Sequence, residues 1–250
     1  MSESYYYLLV NIACISIPFV FSFHPKLNFH KQWPGFFAGI FVMWIIFIPW
    51  DMFFTSKEIW GFNLKYVTGI HLFNLPLEEV LFFFCIPYAS IFTYHCFRIF
   101  THGKVLSNAF IYLAWLIAIV SLAVAFLHYN RWYTFTAHLF CGLFLLYHLL
   151  IVRQPYLKTF MLSFLILLIP FIGSNGILTG LQFWNYPIIN SDPASVTDMI
   201  VWYNLDHNLQ LRIFSMPIDD LSYGLTMLLL PITVFEWVGR RKLAANATQN

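Results

Sequence analysis

Apolar residues run along this chain in seven long blocks, not in the alternation of strands or the one-sided stripe of a surface helix. The blocks are roughly Tyr6–Phe23, Phe36–Phe54, Glu79–Phe100, Asn108–His128, Trp132–Val152, Leu157–Asn175 and Asp219–Val238. Each has about the ~20 residues that a helix needs to cross a bilayer. Prolines recur near the ends of four of them, at Pro49, Pro87, Pro170 and Pro231. In membrane bundles such prolines are tolerated because neighbouring helices satisfy the freed backbone groups. The connections are short except for 55–76 and 176–217, and the second carries a turn-rich insert around Asn185–Pro193 that reads as a surface loop. The pattern predicts an all-α polytopic membrane protein of about seven transmembrane helices.

Composition strengthens this picture. The chain is 60% hydrophobic and 10% charged, against about 25% charged in a soluble domain, so lipid must be its solvent. A net charge of +2 gives no footing for a nucleic-acid partner. Cys14, Cys85, Cys96 and Cys141 all lie in apolar runs without a C-x-x-C pair and read as small core residues. The first apolar block has an acidic Glu3 and no Lys or Arg before Lys26, so it is expected to be a retained span. Basic residues divide nine to four between the two sides. The richer side carries Lys26, Lys31, Arg98, Lys104, Arg153, Lys158, Arg240, Arg241 and Lys242; the poorer carries Lys57, Lys65, Arg131 and Arg212. This bias predicts a multi-pass plasma-membrane protein with its N-terminus outside and its C-terminus cytoplasmic.

The two long connections are versions of each other. Phe62-Asn63-Leu64 precedes Leu75-Pro76-Leu77-Glu78-Glu79, and Tyr203-Asn204-Leu205 precedes Met216-Pro217-Ile218-Asp219-Asp220 at the same spacing. Four spans separate the copies, so both lie on one membrane face. The expected organisation is a single membrane domain, residues 1–250, with a first repeat of three helices over about 1–105 and a connector helix over about 108–128. A second repeat follows over about 132–238, and then a short tail, 239–250.

Proline and acidic residues suit the first turn of any helix. Capping alone, however, does not require a matched aromatic-Asn thirteen or more residues upstream. Desolvation among Leu81, Phe82, Phe83 and Phe84 would favour a carboxyl that keeps its proton. Successive helical residues point about 100° apart, so only one acid of each pair can face a pocket squarely. Asp51 and Asn175 fall near the same level at corresponding places in the two halves, and polar groups at such depth are usually functional. His71 and Arg212 also correspond and are candidate salt-bridge partners of the acids. The aromatics Trp50, Trp60, Phe82, Phe83, Trp202, Tyr203 and Tyr223 crowd the same segments. Beyond forming an interfacial belt, their faces can stabilise a cation.

These residues carry a resemblance. Leu75–Phe83 with Asp51 and Trp60, Asn175–Gly180, Trp202–Asn204 and Met216–Tyr223 together resemble the integral-membrane lycopene cyclases, in their fused form, over about residues 36–238. That family includes the cyclase half of bifunctional carotenoid enzymes. The second motif usually reads Pro-x-Glu-Asp there, whereas Asp219 stands here. The resemblance implies a redox-neutral β-cyclisation of the ψ end groups of lycopene, begun by a carboxylic acid. Glu78 or Glu79 would be the general acid, Asp219 and Asp220 the matching acid or base, and Asp51 and Asn175 would orient them. The aromatics above would bind substrate. Lycopene or a related linear carotenoid from the lipid phase, membrane lipids and other carotenoid-pathway enzymes are the expected partners, with no cofactor and no metal. Two readings from other classes stand beside this one: a seven-helix proton carrier or receptor without retinal, since the last span has no lysine, and a membrane prenyl-chain transferase.

Overall fold

The computed structural model describes residues 2–102 and 104–247, with side chains as far as Arg240. Met1, Gly103 and the last residues of the expected tail, 248–250, lie outside the described residues. Seven long helices account for the seven apolar blocks: α1 (Tyr6–Phe21), α2 (Trp33–Ser56), α3 (Leu77–Phe100), α4 (Ala109–Leu127), α5 (Trp132–Tyr147), α6 (Tyr156–Thr179) and α7 (Asp219–Ala247). All seven are long and apolar enough to cross a membrane. The four expected prolines sit inside α2, α3, α6 and α7 without ending them.

Several boundaries differ from the sequence expectation. Helix α2 continues to Ser56 and α6 to Thr179, so Asp51 and Asn175 lie about a turn inside their helices and not at the ends. Hydrogen bonds and packing, detailed below, hold both polar side chains within the bundle. Helix α7 runs past Val238, so the described part of the tail is helical backbone. Helix α5 passes into a π turn, His148–Val152, which ends on Arg153 at φ 48°.

Helices α3 and α7 occupy the centre. Helix α3 packs along α1 and α6, α7 packs along α2 and α5, and α4 lies against α5. Helices α2 and α7 approach closely, so that a Cβ on Gly39 would stand 2.5 Å from the carbonyl oxygen of Pro231. Small residues at such crossings let backbones approach closely, which is how membrane helices gain contact without a hydrophobic driving force.

The two long connections are not plain loops. Each contains a hairpin, β2 (His71–Leu72) with β3 (Leu75–Pro76), and β6 (Arg212–Ile213) with β7 (Met216–Pro217), the second extended by β4 (Ile189–Asn190). The connections join through an antiparallel ribbon, β1 (Trp60–Phe62) against β5 (Val201–Tyr203), in the register Trp60–Tyr203, Gly61–Trp202 and Phe62–Val201. The ribbon is extended by Asn63 N–H to the Ile200 carbonyl (2.8 Å) and Asn204 N–H to the Ile59 carbonyl (2.9 Å). These bonds are reciprocal, so a pseudo-two-fold axis passes through the Gly61–Trp202 pair. A side chain at Gly61 would collide with the Trp202 ring, which explains why its counterpart position holds glycine.

Replacing Gly39 with Leu should therefore separate α2 from α7 and lower stability by about 1–3 kcal/mol, a typical overpacking cost. Gly173→Ala, with open space around its Cβ, should hold or slightly raise stability. Thermal unfolding of the two variants in detergent checks both.

Candidate active site

The doubled motif acquires a physical explanation in the folded chain. Asn63 accepts the N–H of Lys65 through its side chain (3.1 Å), and Asn204 accepts that of Asp206 (3.0 Å), so each asparagine caps a short 3-10 turn. The chain emerging from each turn is then captured by the first acid of its motif. Glu78 Oε1 accepts the Thr68 N–H (2.8 Å), and Asp219 Oδ2 accepts the Leu209 N–H (3.1 Å). Asp219 is further held by the Thr134 hydroxyl (2.7 Å), with His138 Nε2 at 3.6 Å. Glu78 and Asp219 are thus turned towards the connections that precede them, and neither lines the central cavity.

One residue on, the helix turns the second acids inward. Glu79 and Asp220 face a single buried cavity of about 50 Å3 at the ribbon end of the bundle. Tyr7 donates its hydroxyl to Glu79 Oε2. Asp220 accepts three donors: the Tyr133 hydroxyl at Oδ1, and at Oδ2 the Asn175 amide (2.6 Å) and the Tyr203 hydroxyl (3.2 Å). Tyr133 on α5 stands to Asp220 as Tyr7 on α1 stands to Glu79. Asp51 lies behind the cavity wall, accepting the Trp60 indole N–H at Oδ1 while Oδ2 is buried without a partner. Glu79 lies within electrostatic reach of both Asp51 and Asp220.

Rings complete the walls. Trp60, Tyr133, Tyr203 and Tyr223 form a mutual cluster, with centroids 5.1 Å apart for Trp60–Tyr133, 5.6 Å for Tyr133–Tyr203 and 5.9 Å for Trp60–Tyr223. Phe82 and Phe171 also line the cavity. Burial and the neighbouring Asp220 hold the Tyr203 phenol well above its ordinary pKa, so it acts as a neutral donor.

Of the expected site residues, the cavity assembles Glu79, Asp220, Asn175, Trp60, Phe82, Tyr203 and Tyr223. Glu78 and Asp219 cap loops instead, and Asp51 fixes Trp60. Phe83 packs into the core against Phe47, 6.4 Å between centroids, because it points about 100° away from Phe82. Trp202 lies over Gly61 outside the cavity, since neighbouring strand residues face opposite ways. Trp50 lines a separate groove, behind Tyr223. Among the described residues neither His71 nor Arg212 forms an ion pair with the acids. His71 is exposed and turned to the Gly69 carbonyl, and buried Arg212 donates to the Ser215 carbonyl. The residues that sequence reasoning missed are Tyr7 and Tyr133. Their signal was a repeated aromatic pair, Tyr6-Tyr7 and Trp132-Tyr133, opening spans one and five, which reads equally well as an interfacial belt.

Comparison with known proteins gives this geometry its setting. The family model described as lycopene cyclase matches residues 4–97 and 130–238. The chain belongs to the lycopene cyclase family. Within the match fall both acid pairs, both tyrosine donors and the ribbon, whereas α4 lies wholly between the matched segments. A bifunctional lycopene cyclase/phytoene synthase of Arthroderma gypseum is 36% identical over 76 residues, 30% of this chain and 12% of that protein. The chain therefore corresponds to only a small part of that relative's length. No solved structure matches significantly. Membership in the lycopene cyclase family leaves the proton-carrier and prenyl-transferase readings without support.

The capping role of Glu78 has a consequence for stability. Glu78→Gln keeps an acceptor oxygen for Thr68 and should cost under about 1 kcal/mol. Glu78→Leu orphans that partly buried N–H, a loss of about 1–3 kcal/mol. Melting temperatures of the two purified variants separate these outcomes.

Proposed function

We propose that this chain is a lycopene β-cyclase, an isomerase that closes the ψ end groups of lycopene into β-ionone rings to give γ-carotene and β-carotene. The observation that carries the reading is the single cavity in which the second acids of both motifs, Glu79 and Asp220, meet inside a cage of aromatic rings. The family membership supports it independently.

The two acids are differently solvated, and this divides their roles. Asp220 accepts three hydrogen bonds, each worth about 1.5–3 kcal/mol to a charged group. Together these offset the several kcal/mol of burying an ion. Glu79 accepts one such bond among the described residues, from Tyr7, and faces two further carboxyls. Among the described residues none of the three forms an ion pair with Lys or Arg. Crowded carboxyls of this kind share protons, since they cannot all ionise together. Glu79 is thus assigned as general acid and Asp220 as the carboxylate base.

In the reaction, Glu79 delivers its proton to C2 of the terminal C1=C2 bond, leaving a tertiary cation at C1. The π electrons of C5=C6 form the C1–C6 bond and move the charge to C5. Asp220 removes the proton from C6, and the C–H pair becomes the new C5=C6 bond. One proton is taken up and one is lost, so the product is an isomer and no redox partner is consumed. The faces of Trp60, Tyr133, Tyr203 and Tyr223 stabilise the travelling charge, at about 0.5–2 kcal/mol per ring. A proton passed from Asp220 back to Glu79 resets the site. The charge bias supports placing the cavity at the outer end of a plasma-membrane protein, with lycopene reaching it from the lipid. Enzymes that supply linear carotenoids are its expected neighbours.

Membranes of lycopene-accumulating bacteria carrying the variants provide the test. Glu79→Gln and Asp220→Asn should each lower the cyclisation rate by about 10²–10⁴-fold, the worth of general acid–base catalysis. Glu78→Gln and Asp219→Asn, which alter loop caps, should each retain at least about a tenth of it, a loss within the ~1.4 kcal/mol per decade of rate. Unchanged lycopene in cells whose membranes contain the unsubstituted chain would refute the function.

A further inference from the structure

The acid cavity is too small for its proposed substrate. It holds about 50 Å3, whereas a buried cavity that accepts one six-membered carbon ring measures about 150 Å3. The end group must displace side chains on arrival, and the rest of the chain must lie elsewhere.

Two apolar clefts flank the cavity and are related by the pseudo-two-fold axis. One, about 750 Å3, lies between α2 and α5 with α7 as its floor, and includes Trp50, Phe53, Trp132, Phe140 and Tyr147. The other, about 80 Å3, lies between α1 and α6 and includes Cys14, Ala89 and Ser174. Ser174 precedes Asn175 on α6 as Trp50 precedes Asp51 on α2. Direct packing of α1 on α6 closes the second cleft. The first stays open, its helices meeting through ring contacts such as Trp50–Phe140 at 5.2 Å.

The open cleft ends against the acid cavity. Trp50 stands 5.3 Å from Tyr223, and Phe54 stands 4.8 Å from Trp60, while Tyr223 and Trp60 line the cavity from its other side. The two tryptophans are held differently. Trp60 is tied to Asp51 by its indole N–H, but the buried Trp50 indole N–H has no partner. Rotating Trp50 breaks no hydrogen bond. From Trp132 to Tyr147 the cleft follows α5 for about 22 Å at 1.5 Å per residue, a length suited to a linear polyene lying along the helix.

We propose that the α2–α5 cleft seats the polyene chain of the substrate and that Trp50 is the gate through which one end group enters the acid cavity. The identity of the occupant rests on the cyclase reading; the path does not. One open cleft admits one chain, so the two ends are cyclised in successive binding events.

The experiment fills the cleft at a half-exposed position. Leu143→Trp on α5 projects into it without entering the core, and Leu116→Trp on lipid-facing α4 is the control. Each is made in the otherwise unsubstituted chain and in Glu79→Gln, which should bind lycopene without converting it. Leu143→Trp should raise KM about tenfold with kcat little changed and should cut the lycopene co-purifying with the Glu79→Gln protein about tenfold, a ~1.4 kcal/mol effect. Trp50→Ala should speed pigment uptake by the Glu79→Gln protein, and Trp50→Phe should restore the original rate. If Leu143→Trp behaves as Leu116→Trp does while the unsubstituted chain cyclises lycopene, the cleft holds lipid and the proposal fails, leaving the cyclase function standing. Equal loss in both tryptophan variants also overturns it. A chain that neither converts nor retains lycopene removes both.

Discussion

The burial of Glu79 and Asp220 in one cavity is the constraint on which the rest of the structure depends. A carboxyl moved out of water loses several kcal/mol of solvation if it ionises, so four elements around these two supply compensation. Helices α1 and α5 contribute Tyr7 and Tyr133, α6 contributes Asn175, and the ribbon contributes Tyr203. The ribbon itself exists because two connections must be brought to the same end of the bundle and locked there. Its reciprocal hydrogen bonds do this with backbone groups alone.

Much of this was legible before folding. Seven apolar blocks became seven helices, and the two acid motifs shared one end because four spans lie between them. What could not be read was direction within a turn. Glu78 and Glu79 are adjacent and chemically alike, and only the position of the Thr68 N–H decides that the first caps and the second faces inward. The same ambiguity hid Phe83 behind Phe82 and Trp202 behind Tyr203. Tyr7 and Tyr133 were missed for a different reason. An aromatic at a membrane boundary already has a sufficient explanation in the belt, and its hydroxyl partner is 72 residues away for Tyr7 and 87 for Tyr133. The hairpins of the long connections were likewise invisible, since two-residue strands leave no alternating pattern.

Asp219, where the family usually has glutamate, shows how the division of labour buffers sequence change. Its task is to accept the Leu209 N–H, which a shorter carboxylate still reaches at 3.1 Å, against 2.8 Å for Glu78. Thr134 adds a second donor on the Asp219 side, whereas the remaining oxygen of Glu78 is buried without a partner. The departure therefore falls on a loop cap and leaves the cavity-facing acid, Asp220, as it was.

Acid–base chemistry in one cavity needs two carboxyls that are not equivalent, and a repeated scaffold tends to make them so. Here the symmetry is broken in the surroundings of the pair. Asn175 in the second half holds Asp220 directly, whereas its counterpart Asp51 is a carboxyl that pins Trp60 and lies within electrostatic reach of Glu79. A single difference, amide against acid at corresponding depths of α6 and α2, stabilises charge on one side and opposes it on the other. The same pair of helices carries Ser174 beside the closed cleft and Trp50 beside the open one. On the proposed assignment, adjacent residues on each helix would set both the direction of proton flow and the side from which a chain can arrive. Glu79, the acid proposed to hold the proton, is the one backed by the helix that borders the open cleft.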